Sequence, residues 1–355
     1  MSQPLLSKAL QRESYIDICK AIGIILVVFG HTYTIPDYLL STIYSFHMPM
    51  FFMLSGLLYN REKNNNLGFS QFTLKKVKSL LIPYFIFAFS NFMLEIMWRL
   101  FVSNATLDTD YFVTRIKGIF LCYSNTENMP NCSPIWFLLC LFIAELLFWW
   151  VMKLPLKLTW IPAIFGIIIN YVVLPTENSF TAYPFKFPTF LVALFFIYIG
   201  YCLRCVFHKQ YAFMNNRLLM LIVSTIVMVT GLAIVILTDS NIKTDMNGNT
   251  YDNYFIFLLT SVPISAAFIL FFKQLPAIGN PFFLWLGKNT LYIIGFNFVC
   301  RDIATELYYY IPVIKNFPMH WSVNFVMTFA LCCLSVIICI KIKSLFFKIF
   351  SNRTK

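Results

Sequence analysis

Residues 17–31 read DICKAIGIILVVFGH, an apolar run with ionisable side chains near both of its ends. Asp17 and Lys20 stand at its start, and His31 closes it. A charged or titratable group is costly inside a lipid bilayer, so each one in a membrane helix is a candidate functional residue. We predict a membrane helix over residues 16–36 that carries three such groups.

The rest of the chain has the same apolar character. Of its 355 residues 59% are hydrophobic and only 12% are charged, against about 25% charged residues in a soluble domain. A helix needs about 20 mostly apolar residues to cross the hydrocarbon core. We therefore expect an all-α polytopic protein, a single integral membrane domain over residues 1–355. Its ten predicted spans lie near 16–36, 42–60, 80–103, 134–152, 158–175, 188–203, 218–238, 254–272, 281–300 and 321–340.

The placement of basic residues predicts the orientation of these spans. If the N-terminus is cytoplasmic, 18 of the 27 Lys and Arg residues fall in cytoplasmic segments. Cytoplasmic loops of membrane proteins carry such an excess, so both termini are expected in the cytoplasm. The net charge of +12 is then explained by topology and by contact with anionic lipid. Nucleic acid is not expected as a partner.

The ionisable residues of the first span form a stripe. Lys20 and His31 are eleven residues apart, which is about three helical turns, so they share one face about 16 Å apart along the axis. Asp17 lies one turn before Lys20 and is placed to pair with it. This face offers a cation near one membrane surface and an imidazole toward the other.

A second histidine is expected near the first. The segment FHMPMFFMLSGLLY (46–59) follows a short loop, so the first two spans are antiparallel neighbours and His47 lies at about the depth of His31. Two histidines are too few ligands for a zinc site, and no metal is predicted.

Two interpretations fit the basic segment FTLKKVKSLLIPYF (72–85). Lys75, Lys76 and Lys78 cluster there before the third span. The cluster is either a positive-inside signal or a phosphate site for an anionic cytosolic donor.

Other intramembrane charges have simpler explanations. Glu95 and Arg99 are four residues apart and are expected to neutralise each other. Glu145 lies two and a half turns beyond Trp136, on another side of its helix, and is not predicted to be catalytic.

Together these motifs resemble the acyltransferase 3 family of bacterial membrane O-acyltransferases. The family pairs a basic residue with a histidine after ten intervening residues, as in Lys20 and His31, and carries a later basic pair that matches Lys75 and Lys78. Lysine in place of the more frequent arginine resembles the branch of enterobacterial-common-antigen O-acetyltransferases. The segments 46–59, PIWFLLCLF (134–142) and LGKNTLYIIGFNF (286–298) resemble further family motifs, although Asn297 stands where many members have histidine.

The resemblance implies transfer of an acyl group, usually acetyl, from a cytosolic acyl-CoA such as acetyl-CoA to a hydroxyl of a cell-envelope carbohydrate. The protein would lie in the bacterial inner membrane and need no bound cofactor. The resemblance assigns donor binding to Lys75, Lys78 and Lys20, with Asp17 in support. It assigns the role of general base to His31. Three residues are candidates for the acceptor or oxyanion contacts: His47, Trp136 and Asn297.

Several alternatives stay open on the sequence. A transporter or flippase for a lipid-linked sugar has a similar composition, and a non-catalytic scaffold is the third class. The sequence does not identify the acceptor, the acyl group, the donor path or the oligomeric state. It also leaves open whether Cys122 and Cys132, both in the predicted loop 104–133, form a disulfide.

Overall fold

The computed structural model describes residues 3–103, 106–129, 131–174, 181, 183–209, 211–238, 244–275, 280–312 and 317–351. These ranges fold into helices, with one isolated β-bridge between Asp245 and Thr250. The helices are α1 (Gln3–Gly30), α2 (Asp37–Tyr44), α3 (His47–Leu58), α4 (Arg61–Asn65), α5 (Phe69–Lys76), α6 (Ile82–Trp98), α7 (Thr109–Leu121), α8 (Trp136–Val151), α9 (Trp160–Val172), α10 (Thr189–Lys209), α11 (Arg217–Thr238), α12 (Tyr254–Gln274), α13 (Pro281–Lys288), α14 (Thr290–Tyr310) and α15 (Trp321–Ser351).

The all-α, multi-pass prediction is confirmed. Six helical segments in the described ranges are long and apolar enough to cross a membrane. They are Phe69–Phe101, Ser133–Val151, Pro184–Lys209, Arg217–Thr238, Tyr254–Gln274 and Trp321–Leu345. The first of them is continuous because a π-helical turn over Val77–Leu81 joins α5 to α6. Six of the ten predicted spans lie in these segments.

The other four predicted spans have different bounds from those expected. The span 16–36 ends early, because α1 stops at Gly30 and the Thr32 hydroxyl donates back to the Phe29 carbonyl at 2.6 Å. The span 42–60 is divided between α2 and α3 at Ser45 and Phe46. Pro49 accounts for this division, since proline is tolerated only in the first turn of a helix.

The remaining two corrections concern residues 158–175 and 281–300. Helix α9 has only 13 residues, fewer than a straight span requires. The span 281–300 is interrupted at Asn289, which has non-helical backbone angles between α13 and α14. Its side-chain amide donates to the Trp285 carbonyl at 2.7 Å and so satisfies an acceptor at the end of α13.

Glycines bring the central helices into close contact. A Cβ on Gly56 of α3 would lie 1.8 Å from the Ile197 carbonyl oxygen, and one on Gly200 of α10 would lie 1.9 Å from that of Met53. A Cβ on Gly287 would likewise lie 2.0 Å from the Asp17 carbonyl oxygen, where α13 meets α1. Small residues permit such approaches between membrane helices. They bring α3 close to α10 and the middle of α1 close to α13.

A buried ion-pair cluster lies between α6 and α7. Glu95 accepts from Arg99 at 3.2 Å, as expected, and also from Arg115 of α7 at 3.0 Å. The Cys122 and Cys132 thiols are buried and free, so the structure has no disulfide between them.

Candidate active site

A large cavity of the bundle is strongly basic. It measures about 740 Å³ and opens where α3 and α10 end and α5 approaches. We call it the basic cavity. Its charged and titratable lining residues are Lys63, Lys75, Lys76, Glu145, Arg204, His208 and Lys273. A concave surface with this excess of cations favours an anionic ligand.

Among the described residues, Glu145 is the one carboxylate on the wall of the basic cavity. The Lys76 ammonium lies 2.5 Å from one of its oxygens, and the Ser55 hydroxyl donates to the other at 2.5 Å. The ion pair joins α5 to α8, and the Ser55 contact adds α3. As expected, Glu145 and Trp136 face different cavities.

A second cavity of about 440 Å³ lies next to the basic cavity, and the two share Ser55 and Leu58 on their walls. We call it the middle cavity. Its lining is mostly apolar, with the cations of Lys20 and Lys288 on its wall. Lys20 pairs with Asp17 at 3.8 Å, as the helical spacing predicts. The cavity can accommodate an elongated, largely uncharged group that ends in an anion.

A third cavity contains both predicted histidines. It shares Met48 and Ile294 with the middle cavity and has a volume of only about 30 Å³, space for a few water molecules at most. We call it the histidine cavity. The other lining residues are Val27, His31, Tyr44, His47, Ser133, Pro134, Trp136, Asp245, Met246 and Asn247.

One face of α1 runs along the middle and histidine cavities. Lys20 and Ile24 line the middle cavity, and Val27 and His31, just beyond the helix end, line the histidine cavity. These positions repeat at the spacing of one helical face. The structure therefore places Lys20 and His31 on a common face but at two successive cavities.

His31 is held by aromatic and polar neighbours. Its Nδ1 lies 3.2 Å from the Tyr44 hydroxyl, and its ring packs edge-on against Phe298 with centroids 4.9 Å apart. The Arg301 guanidinium donates to the His31 carbonyl at 3.5 Å. The ring is thus fixed by neighbours on α2 and α14.

The contacts of His47 define its tautomer. Its Nδ1 lies 2.7 Å from the Ile43 carbonyl oxygen, which can only accept, so Nδ1 carries a proton. Neutral His47 then has its lone pair on Nε2 and no second N–H to offer. As a neutral ring it can accept a proton or a hydrogen bond in the histidine cavity but cannot stabilise an oxyanion.

Three other predicted residues fall in different places. Trp136 is buried and lines the histidine cavity, where its indole N–H can only donate. Asn297 is fully buried on α14, and neither polar atom of its side chain has a hydrogen-bond partner. Lys78 is exposed and does not line any of the three cavities, whereas its neighbour Lys75 lines the basic cavity.

Sequence reasoning missed the loop that walls the histidine cavity. Asp245 and Asn247 line it, and Asn247 is held in a polar network in which it donates to the Ser133 hydroxyl at 3.3 Å. The buried Lys186 ammonium also donates to the Asn247 carbonyl at 3.1 Å. These contacts join residues more than 50 positions apart, and no local motif in the sequence predicts them.

Metal ligation finds no support in the described part of the chain. No three His, Cys, Asp or Glu side chains in these ranges lie close enough together to hold a metal ion. The histidine cavity offers instead two imidazoles, a carboxylate, a phenol and an indole, which are groups suited to proton transfer and hydrogen bonding.

A multi-pass helical bundle with a basic cavity, and with two histidines on the wall of another cavity, has the architecture expected of a membrane-embedded group-transfer protein. Comparison with known protein families identifies the family to which the chain belongs. The model of the acyltransferase 3 family, described as an acyltransferase domain, matches residues 13–342. The chain therefore belongs to this family and is a membrane acyltransferase, which decides against the transporter and scaffold alternatives. No curated protein and no solved structure matches the chain significantly.

Proposed function

We propose that this acyltransferase transfers acetyl from cytosolic acetyl-CoA to a hydroxyl of a cell-envelope carbohydrate, with His31 as general base. The observation that carries the proposal is the order of the three cavities. The basic cavity shares Ser55 and Leu58 with the middle cavity, and the middle cavity shares Met48 and Ile294 with the histidine cavity. Together they would form a route that begins at a basic cavity suited to an anion, continues through a mostly apolar cavity and ends at the histidines.

The basic cavity suits the nucleotide end of acyl-CoA. Its phosphates are anionic, and the lysines and arginine on the cavity wall provide complementary charge. Lys75 is assigned to direct contact with them, while the exposed Lys78 attracts the donor toward the cavity mouth. Lys76 pairs with Glu145 at 2.5 Å, and Glu145 in turn accepts from Ser55, which lines both the basic and the middle cavity.

The middle cavity suits the pantetheine arm. The arm is elongated and uncharged, and the apolar wall of the cavity carries a few polar groups for its amides, among them Ser55, Ser79 and Thr290. Lys20, oriented by Asp17, would meet any phosphate that reaches this far. The thioester then arrives beside Met48 and Ile294, at the edge of the histidine cavity.

The chemistry follows from the groups in the histidine cavity. Neutral His31 takes the proton of the acceptor hydroxyl while its oxygen attacks the thioester carbonyl carbon. The Trp136 indole N–H is the donor proposed to stabilise the negative oxygen that forms, because neutral His47 has no N–H to give. The intermediate collapses by breaking the C–S bond, and the leaving thiolate takes the proton from the His31 imidazolium. The products are the ester and CoA thiol.

The membrane orientation follows from the donor. Acyl-CoA is cytosolic, so the basic cavity and both termini face the cytoplasm of a bacterial inner membrane, as the distribution of Lys and Arg favours. The acceptor then approaches the histidine cavity from the opposite side. A volume of about 30 Å³ is too small for a sugar, so we propose that the histidine cavity widens when the acceptor binds.

Proteoliposomes containing the purified protein test this proposal. Acetyl-labelled acetyl-CoA is supplied on one side, together with lipid-linked and free glycans extracted from a strain that lacks the gene. Label should move to a glycan with the wild type and stay on CoA with His31→Ala, while acetyl-CoA binding is retained. Transfer by His31→Ala at the wild-type rate would remove His31 as the base. Label transfer only from a donor other than acyl-CoA would refute the donor assignment.

A further inference from the structure

We infer that Tyr44 is a positioning residue that fixes the tautomer of His31, with the proton on Nδ1 and the lone pair on Nε2. The inference rests on the proposed role of His31 as general base and adds the group that prepares this base. It starts from an arrangement on α2. The Tyr44 hydroxyl lies 3.2 Å from His31 Nδ1 and donates to the Gly30 carbonyl at 3.3 Å.

The Tyr44 hydroxyl has two acceptors within reach, and its donation to the Gly30 carbonyl decides the tautomer of His31. A phenol has one proton, and a backbone carbonyl can only accept. When the Tyr44 proton goes to the Gly30 oxygen, the phenol oxygen can only accept from the imidazole. His31 Nδ1 therefore carries a proton, and in the neutral ring the lone pair lies on Nε2. This is the form that accepts a proton from a substrate in the cavity.

The aromatic neighbours restrict the ring to this orientation. The Phe298 ring meets the imidazole edge-on at 4.9 Å, and the Tyr44 ring does so at 6.1 Å. Helix α14 and helix α2 thus pack against the imidazole and oppose the rotation that would exchange its two nitrogens.

Charged groups around the imidazole leave this assignment intact. Arg301 donates to the His31 backbone carbonyl and is itself held by Asp302 at 2.9 Å. His47 uses its own Nδ1 for the Ile43 carbonyl. Asp245 lines the same cavity from the loop above, where a carboxylate stabilises the imidazolium that forms during the reaction.

The arrangement suits both halves of the catalytic cycle. An Nδ1–H that donates to the phenol oxygen is present in the neutral ring and in the imidazolium, so the hydrogen bond persists while Nε2 gains and loses its proton. The opposite arrangement, with the phenol donating to Nδ1, would place the ring proton on Nε2 and block the base. Orientation of a catalytic imidazole through its second nitrogen is a general requirement of such bases.

The test compares Tyr44→Phe with Tyr84→Phe in the reconstituted enzyme. Tyr84 is a matched control because it is also a buried phenol that donates to a backbone carbonyl, that of Ile119 at 2.6 Å, and it lines none of the three cavities. Loss of one neutral hydrogen bond should lower kcat about fivefold in Tyr44→Phe and leave KM for acetyl-CoA unchanged. Tyr84→Phe should keep the wild-type kcat.

Nitrogen NMR provides the readout that a purely structural role would not change. With 15N-labelled histidine rings, and with His31→Ala to identify the signals, wild-type His31 should show a protonated Nδ1 and an unprotonated Nε2. Tyr44→Phe should show a mixture of the two tautomers. An unprotonated Nδ1 in the wild type, or an unchanged kcat and tautomer in Tyr44→Phe, would overturn the inference. Activity of His31→Ala at the wild-type rate would instead refute the base itself.

Discussion

The basic cavity and the histidine cavity each adjoin the middle cavity and differ in volume and in lining. The first has a volume of about 740 Å³ and a wall rich in lysine. The second has about 30 Å³ and contains groups that exchange protons or donate hydrogen bonds. The basic cavity can accommodate a large anionic group, whereas the histidine cavity has room for only a few atoms.

This difference separates binding from chemistry. A wide, charged cavity can hold a donor without a conformational change, whereas a small one must open for its substrate and close again around the reacting atoms. Substitutions in the basic cavity should therefore change KM for the donor, and those in the histidine cavity should change kcat. The variants below test that division, beginning with the largest effect.

His31→Ala should produce the largest loss. General base catalysis contributes about 10²- to 10⁴-fold, so kcat should fall by that factor while acyl-CoA binding stays within about twofold of wild type. The measurement is label transfer in proteoliposomes together with donor binding by calorimetry. His320→Ala is the control, since His320 is exposed, bonds Ser322 at 2.8 Å and lines none of the three cavities. An equal fall in both variants would contradict the assignment.

Trp136→Phe should follow with a loss of about 10²-fold in kcat, the usual cost of removing one oxyanion donor. Phenylalanine keeps an aromatic ring in contact with its neighbour Phe52, whose centroid lies 6.4 Å away, and removes only the indole N–H and one ring. Trp150→Phe is the control, because Trp150 lies exposed on the same helix α8. Unchanged kcat in Trp136→Phe would place the oxyanion donor elsewhere.

Lys75→Gln and Lys78→Gln sharpen the comparison at the other end of the route. Lys75 lines the basic cavity and Lys78 does not, although the sequence predicts both as donor ligands. KM for acyl-CoA should rise about tenfold in Lys75→Gln, the cost of about 1.4 kcal/mol of ionic contact, and about twofold in Lys78→Gln. The rise should shrink at high salt because screening weakens the lysine's contribution. Equal effects would show that both lysines contribute to donor binding, as the sequence predicts.

Helical periodicity explains which parts of the site were predictable. Lys20 and His31 share a helix, so their common face follows from 3.6 residues per turn. His47 follows through a short connection. Ten spans were expected, and six helical segments of the described ranges meet the criteria of length and composition. Two of the four differences arise because Pro49 and Asn289 divide hydrophobic runs whose apolar content alone predicts a continuous helix.

Contacts between distant parts of the chain account for what the sequence did not reveal. Lys76 and Glu145 are 69 residues apart, and Asp245 comes from a loop far beyond both histidines. Tyr44 stands close to His31 in sequence, but the break before α3 that turns α2 toward His31 was not predicted. Lys75 lines the basic cavity and Lys78 does not, because their side chains point in different directions. The sequence does not predict this difference, since the span boundary is uncertain by a few residues.

Asn297→Leu should give the smallest effect on rate and the most informative effect on stability. Both polar atoms of Asn297 are buried without a partner, and such an orphaned group costs roughly 1–3 kcal/mol. The apolar variant should therefore raise the melting temperature in detergent. Asn91→Leu is the matched control, since Asn91 is equally buried but donates to the Phe87 and Gly295 carbonyls at 2.8 and 2.9 Å. Loss of these two hydrogen bonds in Asn91→Leu should lower the melting temperature. Stabilising substitutions cost activity where function depends on a destabilised group, so kcat of Asn297→Leu should fall severalfold although the fold gains stability. Higher stability with full activity would show that Asn297 contacts neither the acceptor nor the oxyanion.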